Sequence, residues 1–189
     1  MATSINVTKD NELARELNTI SLFVISAALL VAFYYQLALF SLPCPLCLLQ
    51  RVGLILIGCG FLFNVRFGIK SAHYGIALIG CVVTGSISAR QMFLHILPGD
   101  PGYGSPFLGL HFYTWALLSS IIAVVAIAVM MMLSKERPTT EETISLPLLG
   151  KISMVLFSLM IVANLISTVL ECGVGQCADN PTFYLLLGH

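Results

Sequence analysis

Five apolar runs, separated by short polar segments, organise the chain. They cover residues 20–42, 48–65, 73–97, 112–133 and 146–170. A helix needs about 20 apolar residues to cross the ~30 Å hydrocarbon core of a bilayer, and each run is close to or above that length. The pattern therefore predicts an all-α membrane protein with five transmembrane helices.

The polar segments divide a single integral membrane domain into parts. We expect a polar N-terminal segment at 1–18, four membrane spans at 19–133, a polar linker at 134–147, a fifth helix at 148–170 and a tail at 171–189. The first apolar run is longer than the ~7–15-residue apolar region of a signal peptide. We therefore expect it to remain in the protein as a membrane span.

The composition agrees with a membrane protein and excludes other classes. Of the 189 residues, 58% are hydrophobic and only 10% are charged, whereas a soluble domain carries about 25% charged residues. The formal net charge is zero, so the chain has no general electrostatic attraction to nucleic acid. The expected surroundings are a lipid bilayer, and no nucleic-acid partner is expected.

The distribution of lysine and arginine predicts the orientation of the helices. With five spans, the N-terminus, the second connection and the linker share one side, and most basic residues fall on or beside it: Lys9, Arg15, Arg66, Lys70, Lys135, Arg137 and Lys151. Only Arg51 and Arg90 fall toward the other side. Because positive charges favour the cytoplasmic side, we expect a cytoplasmic N-terminus and an external C-terminus.

A Cys-x-x-Cys motif, Cys44 and Cys47, lies between the first two runs, at the expected outer surface of the membrane. Pro43 and Pro45 frame Cys44, which predicts a turn and then a helix that begins one or two residues after Pro45. Cys47 then lies in the first helical turn, where free N–H groups and the helix dipole favour a thiolate. Arg51 follows on the same helix face. The spacing indicates a redox-active pair beside a fixed positive charge.

A second cysteine pair, Cys172 and Cys177, follows the fifth run, and the span count places it on the same outer side. Gly173 and Gly175 lie between these cysteines and make a loop that can present a sulfur to another protein, which suggests thiol–disulfide exchange between the two pairs. Two alternatives remain open: static disulfides in an oxidising compartment and a four-thiolate metal site. No further His or Cys completes a familiar zinc pattern, so no metal is expected.

Electrons taken from thiols at the membrane surface need an acceptor, and the membrane offers a lipid-soluble quinone. Arg51 and its neighbour Gln50 supply hydrogen-bond donors for a quinone. Arg90 and His95 end the third run on the same outer side, so we include both as candidate quinone-binding residues. The structural alternatives are a snorkelling role for Arg51, a bundle partner for Arg90 and an interface residue for His95.

These features resemble the disulfide bond formation protein B (DsbB) family. The resemblance covers residues 21–133 and depends on a first span, on Pro-Cys-x-x-Cys-x-x-x-Arg at the start of the second span, and on Phe-Leu-Gly-Leu at 107–110 before an aromatic-rich fourth span. It implies a four-helix transmembrane bundle, here with a fifth transmembrane helix added. It also implies a thiol oxidase of the bacterial inner membrane that reoxidises a periplasmic, DsbA-like thioredoxin-fold protein and passes electrons to ubiquinone or menaquinone.

The resemblance implies roles for individual residues. Cys47 would be the thiolate next to the quinone, Cys44 its exchange partner and Arg51 the quinone-binding cation. The chain departs from the family because the loop between the third and fourth spans has no cysteine, and the second pair instead follows the fifth span. Family order implies that Cys172 bonds to the partner protein and that Cys177 exchanges with Cys44.

Two other functions remain open from the sequence. A quinone reductase of the vitamin K epoxide type also uses Cys-x-x-Cys and a shuttle pair, but its active motif usually comes late in the bundle, whereas this one follows the first span. A membrane assembly factor or transporter subunit with structural disulfides is the non-enzymatic alternative. Structural disulfides resist reduction, so redox titration with quinone separates these classes.

Overall fold

Five helices form nearly all of the described chain. A computed structural model of the protein describes residues 2–133, 147–173 and 175–188, with side chains from residue 12 onward. The helices are α1 (Ala2–Ala38), α2 (Pro45–Phe67), α3 (Ser71–Leu94), α4 (Phe112–Leu133) and α5 (Leu148–Cys172). Each is long and apolar enough to cross a membrane, and the described residues form no β-strand. The predicted fold class, an all-α membrane bundle of four helices plus a fifth, is confirmed.

The helix ends follow from the residues that interrupt the runs. No glycine or proline precedes Pro43, so α1 continues without a break from the polar N-terminal segment into the first apolar run. The part of α1 that qualifies as a membrane span is Glu12–Ala38. Gly68, with a φ of +85°, ends α2 in a backbone conformation that favours glycine. Of the linker predicted at 134–147, all but Pro147 lies outside the described residues.

Small residues let α2 and α3 pack closely. A Cβ atom on Gly80 of α3 would lie 2.6 Å from the backbone nitrogen of Ile57, and one on Gly60 of α2 would lie 2.5 Å from the carbonyl oxygen of His73. Both distances are too short for a real side chain, so these positions require glycine. α4 packs mainly against α3, whereas α5 packs against α1 and part of α2.

The buried hydrophobic core draws on all five helices. Phe157 of α5 is fully buried and rests against Gly58 of α2. The fifth helix is therefore packed into the core and is not a peripheral addition. The free cysteines Cys59 and Cys81 belong to the core packing. The core residues are Leu22, Ile25, Leu29, Ile57, Phe61, Tyr74, Ala77, Cys81, Ile127, Met130 and Phe157.

A polar cluster joins α1, α2 and α3 at the end of the bundle opposite to the paired cysteines. Asn18 Nδ2 donates to the Tyr74 hydroxyl oxygen at 2.8 Å, and Asn64 Nδ2 donates to Asn18 Oδ1 at 3.0 Å. Asn64 Oδ1 also accepts from the backbone N–H of Lys70 at 3.1 Å. Because buried polar groups are stable only when they are paired, this cluster fixes the register of three helices, and with it the positions of the residues at their outer ends.

Candidate redox and acceptor site

The Cys-x-x-Cys motif forms the N-terminal turn of α2. Cys44 is the N-cap residue, and its Sγ accepts a hydrogen bond from the backbone N–H of Cys47 at 3.2 Å. Pro45 occupies the first helical position, where its missing N–H is not needed. Cys44 and Cys47 form a disulfide with their Cα atoms 5.0 Å apart. Cys47 thus lies in the first helical turn, as predicted, where the helix dipole favours a thiolate after reduction.

The Gln91 side chain of α3 lies against both sulfurs of this disulfide. Its Nε2 lies 3.3 Å from Cys44 Sγ and 3.6 Å from Cys47 Sγ, and its Oε1 accepts a hydrogen bond from Gln50 Nε2 at 2.8 Å. The Gln50 donor fixes the amide orientation, so the NH₂ group of Gln91 is directed at the sulfurs and stabilises negative charge there. Sequence reasoning did not select Gln91, because the face of α3 that meets α2 is known only from the packing.

Arg51 is buried one turn after Cys47, beside α1, with 8% of its surface exposed. Its Nη1 donates to Gln36 Oε1 at 2.6 Å, and its Nη2 donates to the carbonyl oxygen of Ala32 at 3.2 Å. The guanidinium carbon lies 5.3 Å from the centre of the Phe33 ring, in a cation–π contact. Arg51 is therefore held inside the bundle, in contrast to the snorkelling alternative. These two bonds use two of its five N–H groups.

Cys47, Gln50 and Arg51 line one cavity of about 290 Å³, bordered by α1, α2, α4 and the connection between α3 and α4. Its volume is close to the lower end of the ~300–1,000 Å³ range of small-molecule sites. The rest of the wall is mostly apolar and aromatic, including Val24, Ala28, Leu54, Phe107, Phe112 and Trp115. The cavity therefore suits an apolar ring that carries hydrogen-bond acceptors, placed next to a disulfide sulfur.

Aromatic contacts fix the part of the wall that comes from α4 and the preceding connection. Phe112 lies edge-on to Tyr35 with ring centres 4.8 Å apart and stacks with Phe107 at 6.0 Å. Trp115 Nε1 donates to the carbonyl oxygen of Phe107 at 2.8 Å. Tyr103, from the same connection, donates its hydroxyl to the carbonyl oxygen of the residue before Pro43 at 3.0 Å. The connection is thereby tied to the Cys-x-x-Cys turn and forms part of the cavity wall.

Two predicted acceptor-binding residues, Arg90 and His95, do not line this cavity. Arg90 is exposed. His95 Nδ1 lies 3.0 Å from Asp100 Oδ1, and its ring stacks on Tyr113 with centroids 5.8 Å apart. Hydrogen bonds from the Gly102 backbone N–H and from His95 lower the pKa of Asp100. These contacts order the connection above the cavity and give no support to acceptor binding by His95.

Cys172 and Cys177 form a second disulfide, the tail pair, with Cα atoms 4.5 Å apart. Cys172 is the last residue of α5 and is 4% exposed, whereas Cys177 is half-buried. Gly173 ends the helix with a φ of +64°. The chain then folds back, and the backbone N–H of Leu186 donates to the carbonyl oxygen of Leu170 at 3.0 Å. Cys177 is therefore the more exposed residue of the tail pair.

The four cysteine sulfurs at the outer end are paired in two disulfides. Among the residues that the structure describes, no group of three or more His, Cys, Asp or Glu side chains is arranged to hold a metal ion. The pairing is compatible both with disulfide exchange between the two pairs and with static disulfides.

A buried hydrogen-bond network connects Arg51 to the end of α5. Gln36 of α1 is 1% exposed and accepts from Arg51 through Oε1. Its Nε2 lies 2.7 Å from Ser167 Oγ, 3.0 Å from the Tyr184 hydroxyl and 3.4 Å from Glu171 Oε2. Glu171 immediately precedes the tail pair, so both cysteine pairs lie at the same end of the bundle. Sequence reasoning missed this network, because Gln36 and Ser167 are far apart in the sequence and only the packing of α1 against α5 brings them together.

Comparison with known proteins shows a similarity to one family over part of the chain. Residues 14–105 match the family described as Disulfide bond formation protein DsbB. Over this region, just under half of the chain, the sequence is similar to the DsbB family. Relatives named Disulfide bond formation protein B include that of Chromobacterium violaceum, 32% identical over 100 residues that cover 48% of this chain and 60% of the relative. The protein of the same name from Marinobacter nauticus is 39% identical over 85 residues, which cover 41% of this chain and 49% of the relative. No solved structure gives a significant match.

The DsbB match covers only part of the molecule. It contains the Cys-x-x-Cys motif, Arg51 and Gln91, but it ends before α4 begins. The relative from Saccharophagus degradans, 35% identical over 101 residues, is likewise covered over 59% of its length. The chain thus spans about half to three fifths of the curated relatives that it matches. α4, α5 and the tail pair lie outside the DsbB region.

Proposed function

We propose that this protein is a quinone-linked thiol oxidase of the bacterial inner membrane that reoxidises a periplasmic, DsbA-like thioredoxin-fold protein. The observation that carries the proposal is the position of Cys47, at the wall of an apolar cavity that also contains Arg51. The matched relatives are named for disulfide bond formation, and the proposal extends that activity to this chain. The N-terminus is cytoplasmic and the C-terminus periplasmic, as the basic residues favour.

The acceptor is ubiquinone or menaquinone, held in the cavity by this chain's own residues. A bound quinone supplies an acceptor for two electrons and two protons. Its apolar ring fits the aromatic and aliphatic walls, and its carbonyl oxygens fit the donors of Arg51 and Gln50. A buried, charged donor gives a strong hydrogen bond because the surroundings are apolar. Arg90 and His95 are left out of the site, since neither lines the cavity.

The two cysteine pairs exchange disulfides so that electrons move inward from the tail. A tail thiolate attacks Cys44 Sγ, the Cys44–Cys47 bond breaks, and Cys47 leaves as a thiolate. The second tail thiolate then attacks the mixed disulfide, which restores the tail disulfide and leaves both electrons on Cys44 and Cys47. The Gln91 NH₂ group and the N-terminus of α2 stabilise the thiolates that form.

The tail pair meets the soluble partner because it lies at the outer end of α5 and in the segment that follows it. An incoming thiolate must reach a sulfur, and Cys177 is half-buried whereas Cys172 is 4% exposed. This exposure favours Cys177 as the sulfur that bonds to the partner and Cys172 as the one that exchanges with Cys44. That order is the reverse of the one implied by the family.

A trapping experiment tests the exchange and its order. In a Cys47→Ser, Cys177→Ser protein, Cys44 and Cys172 should form a disulfide that is visible as a non-reducing cross-link between protease fragments. The Cys47→Ser, Cys172→Ser counterpart tests the family order and should give less cross-link. If neither background cross-links, and a protein without the tail cysteines oxidises its partner at the normal rate, the tail pair is structural.

Steady-state turnover tests the proposed function as a whole. Purified protein is mixed with a reduced DsbA-like protein and with a ubiquinone or menaquinone analogue, and quinone absorbance is followed. Wild-type protein should reduce the quinone, Cys47→Ser should be inactive, and Cys59→Ser, which removes a free cysteine of α2 outside the cavity, should remain active. No reduction of either quinone by the wild type would exclude the oxidase and favour the non-enzymatic class.

A further inference from the structure

Gln36 is the one-residue bridge between α5 and Arg51 in the network described above. We propose that the fifth helix completes the acceptor site, because Ser167 and Glu171 orient Gln36 and Gln36 in turn holds Arg51 in place. This inference rests on the proposed function and assigns a role to a helix that lies outside the DsbB match. Gln36, Ser167 and Glu171 do not line the cavity, so they are positioning residues.

The contacts of Gln36 allow only one orientation of its amide. Arg51 has donors and no acceptor, so the amide must present its oxygen to Arg51 Nη1, at 2.6 Å. On the other side, the carboxyl oxygen of Glu171 accepts from Nε2 at 3.4 Å, and Ser167 Oγ accepts at 2.7 Å. A flipped amide would place its oxygen against Glu171 and its NH₂ group against Arg51. Of the two α5 contacts, that with Glu171 favours the orientation that holds the guanidinium, and the Ser167 hydroxyl, which can donate or accept, is compatible with it.

Glu171 is poorly explained by stability alone. Its side chain is 5% exposed, and Oε1 has no hydrogen-bond partner among the described residues. A buried carboxyl oxygen without a partner destabilises a fold, and apolar residues often replace such groups without loss. A role in orienting Gln36 accounts for a carboxyl at this position.

The bridge leaves the cavity-facing part of Arg51 preorganised. Nη1 is held by Gln36 and Nη2 by the Ala32 carbonyl oxygen, so both ends of the planar guanidinium are fixed before an acceptor binds. Without Gln36 the guanidinium keeps the Ala32 bond but can rotate about it, and the acceptor must then order the side chain on binding. Loss of the bridge should therefore weaken acceptor binding and leave the exchange chemistry at the cysteines unchanged.

Binding is measured directly with Trp115, the single tryptophan of the chain, which lines the cavity. Quenching of its fluorescence by a short-chain ubiquinone analogue gives the dissociation constant. Gln36→Leu should raise this dissociation constant about tenfold, the equivalent of ~1.4 kcal/mol. Glu171→Gln should raise it roughly threefold, a smaller effect because the Gln36 amide is still present. The matched control is Asn164→Ala, a buried α5 residue that donates to the Met160 carbonyl oxygen of its own helix, and it should leave the constant unchanged.

Kinetics and a double-mutant cycle separate positioning from general damage. Gln36→Leu should raise the KM for quinone with little change in kcat at saturating quinone. In an Arg51→Ala background it should have almost no further effect, because the bridge acts only through Arg51. If Gln36→Leu does not fold, Ser167→Ala is the milder variant, and it should also raise the dissociation constant for the quinone analogue.

The outcomes distinguish this inference from the proposed function. Wild-type protein that neither binds nor reduces quinone would overturn the oxidase itself, and the positioning role with it. Wild-type binding with no difference between Gln36→Leu, Glu171→Gln and the Asn164→Ala control would overturn the positioning role alone. The positioning role would also be overturned if Gln36→Leu raised the dissociation constant for quinone by the same factor in the wild-type and Arg51→Ala backgrounds.

Discussion

Replacing Arg51 by alanine removes the guanidinium from the cavity and leaves the cysteines untouched. Arg51 lines the cavity with Cys47 and is 8% exposed. Its bonds to Gln36 and Ala32 use two of five N–H groups, so other donors are available to a quinone carbonyl oxygen. We expect Arg51→Ala to raise the KM for quinone and to leave expression near normal.

The expected size of the effect follows from one charge-assisted hydrogen bond. Such a bond contributes ~1.5–3 kcal/mol, and each ~1.4 kcal/mol corresponds to a factor of ten. The KM for quinone should therefore rise by about 10- to 100-fold. Arg51→Lys keeps the charge but lacks the planar fork that reaches both Gln36 and Ala32. It should give an intermediate value.

The assay is steady-state reduction of a quinone analogue by purified protein over a wide range of quinone concentrations. Arg66→Ala is the matched control, because Arg66 is a second arginine of α2 and lies in its last turn, against Phe67. The control should have a wild-type KM. If Arg51→Ala also has a wild-type KM, Arg51 does not hold the acceptor and the proposed site is wrong.

Three further predictions concern topology, helix packing and Arg90. Impermeant thiol labelling of reduced spheroplasts should reach Cys172 and Cys177; labelling only after the membrane is opened would reverse the topology. Gly80→Val should destabilise the detergent-solubilised protein by about 1–3 kcal/mol through overpacking, whereas Gly75→Val, where a Cβ meets open space, should not; equal thermal midpoints would contradict the close α2–α3 packing. Arg90→Ala should change the quinone KM less than about twofold, and a tenfold rise would return Arg90 to the site.

The fold could be predicted from the sequence because membrane insertion imposes a simple length rule. The five apolar runs became five helices, and α4 has the predicted bounds, 112–133. The prolines around Cys44 marked the start of α2 to within a residue or two. The polar N-terminal segment was harder to interpret, since polar residues do not end a helix. Without a glycine or proline before Pro43, α1 continues through it.

The site could be predicted only where spacing along one helix determines position. Cys47 and Arg51 are four residues apart on α2, and they do share a cavity wall. Gln36 and Gln91 reach the same site from α1 and α3, and only the packing of those helices reveals this. Arg90 illustrates the same limit: its depth along α3 could be predicted from the sequence, but the exposed face that it occupies, away from the cavity wall, could not.

Electron transfer from dithiol to quinone is tested most directly by stoichiometry in the absence of oxygen. Protein with Cys44, Cys47, Cys172 and Cys177 reduced is mixed with excess ubiquinone analogue, without any partner protein. Each disulfide that forms releases two electrons and two protons, so the expected yield is two quinols and the loss of four thiols per chain. A protein that lacks the tail cysteines should yield one quinol, and Cys47→Ser should yield none. Quinone that stays oxidised, or thiols that disappear without quinol, would contradict a quinone-linked oxidase.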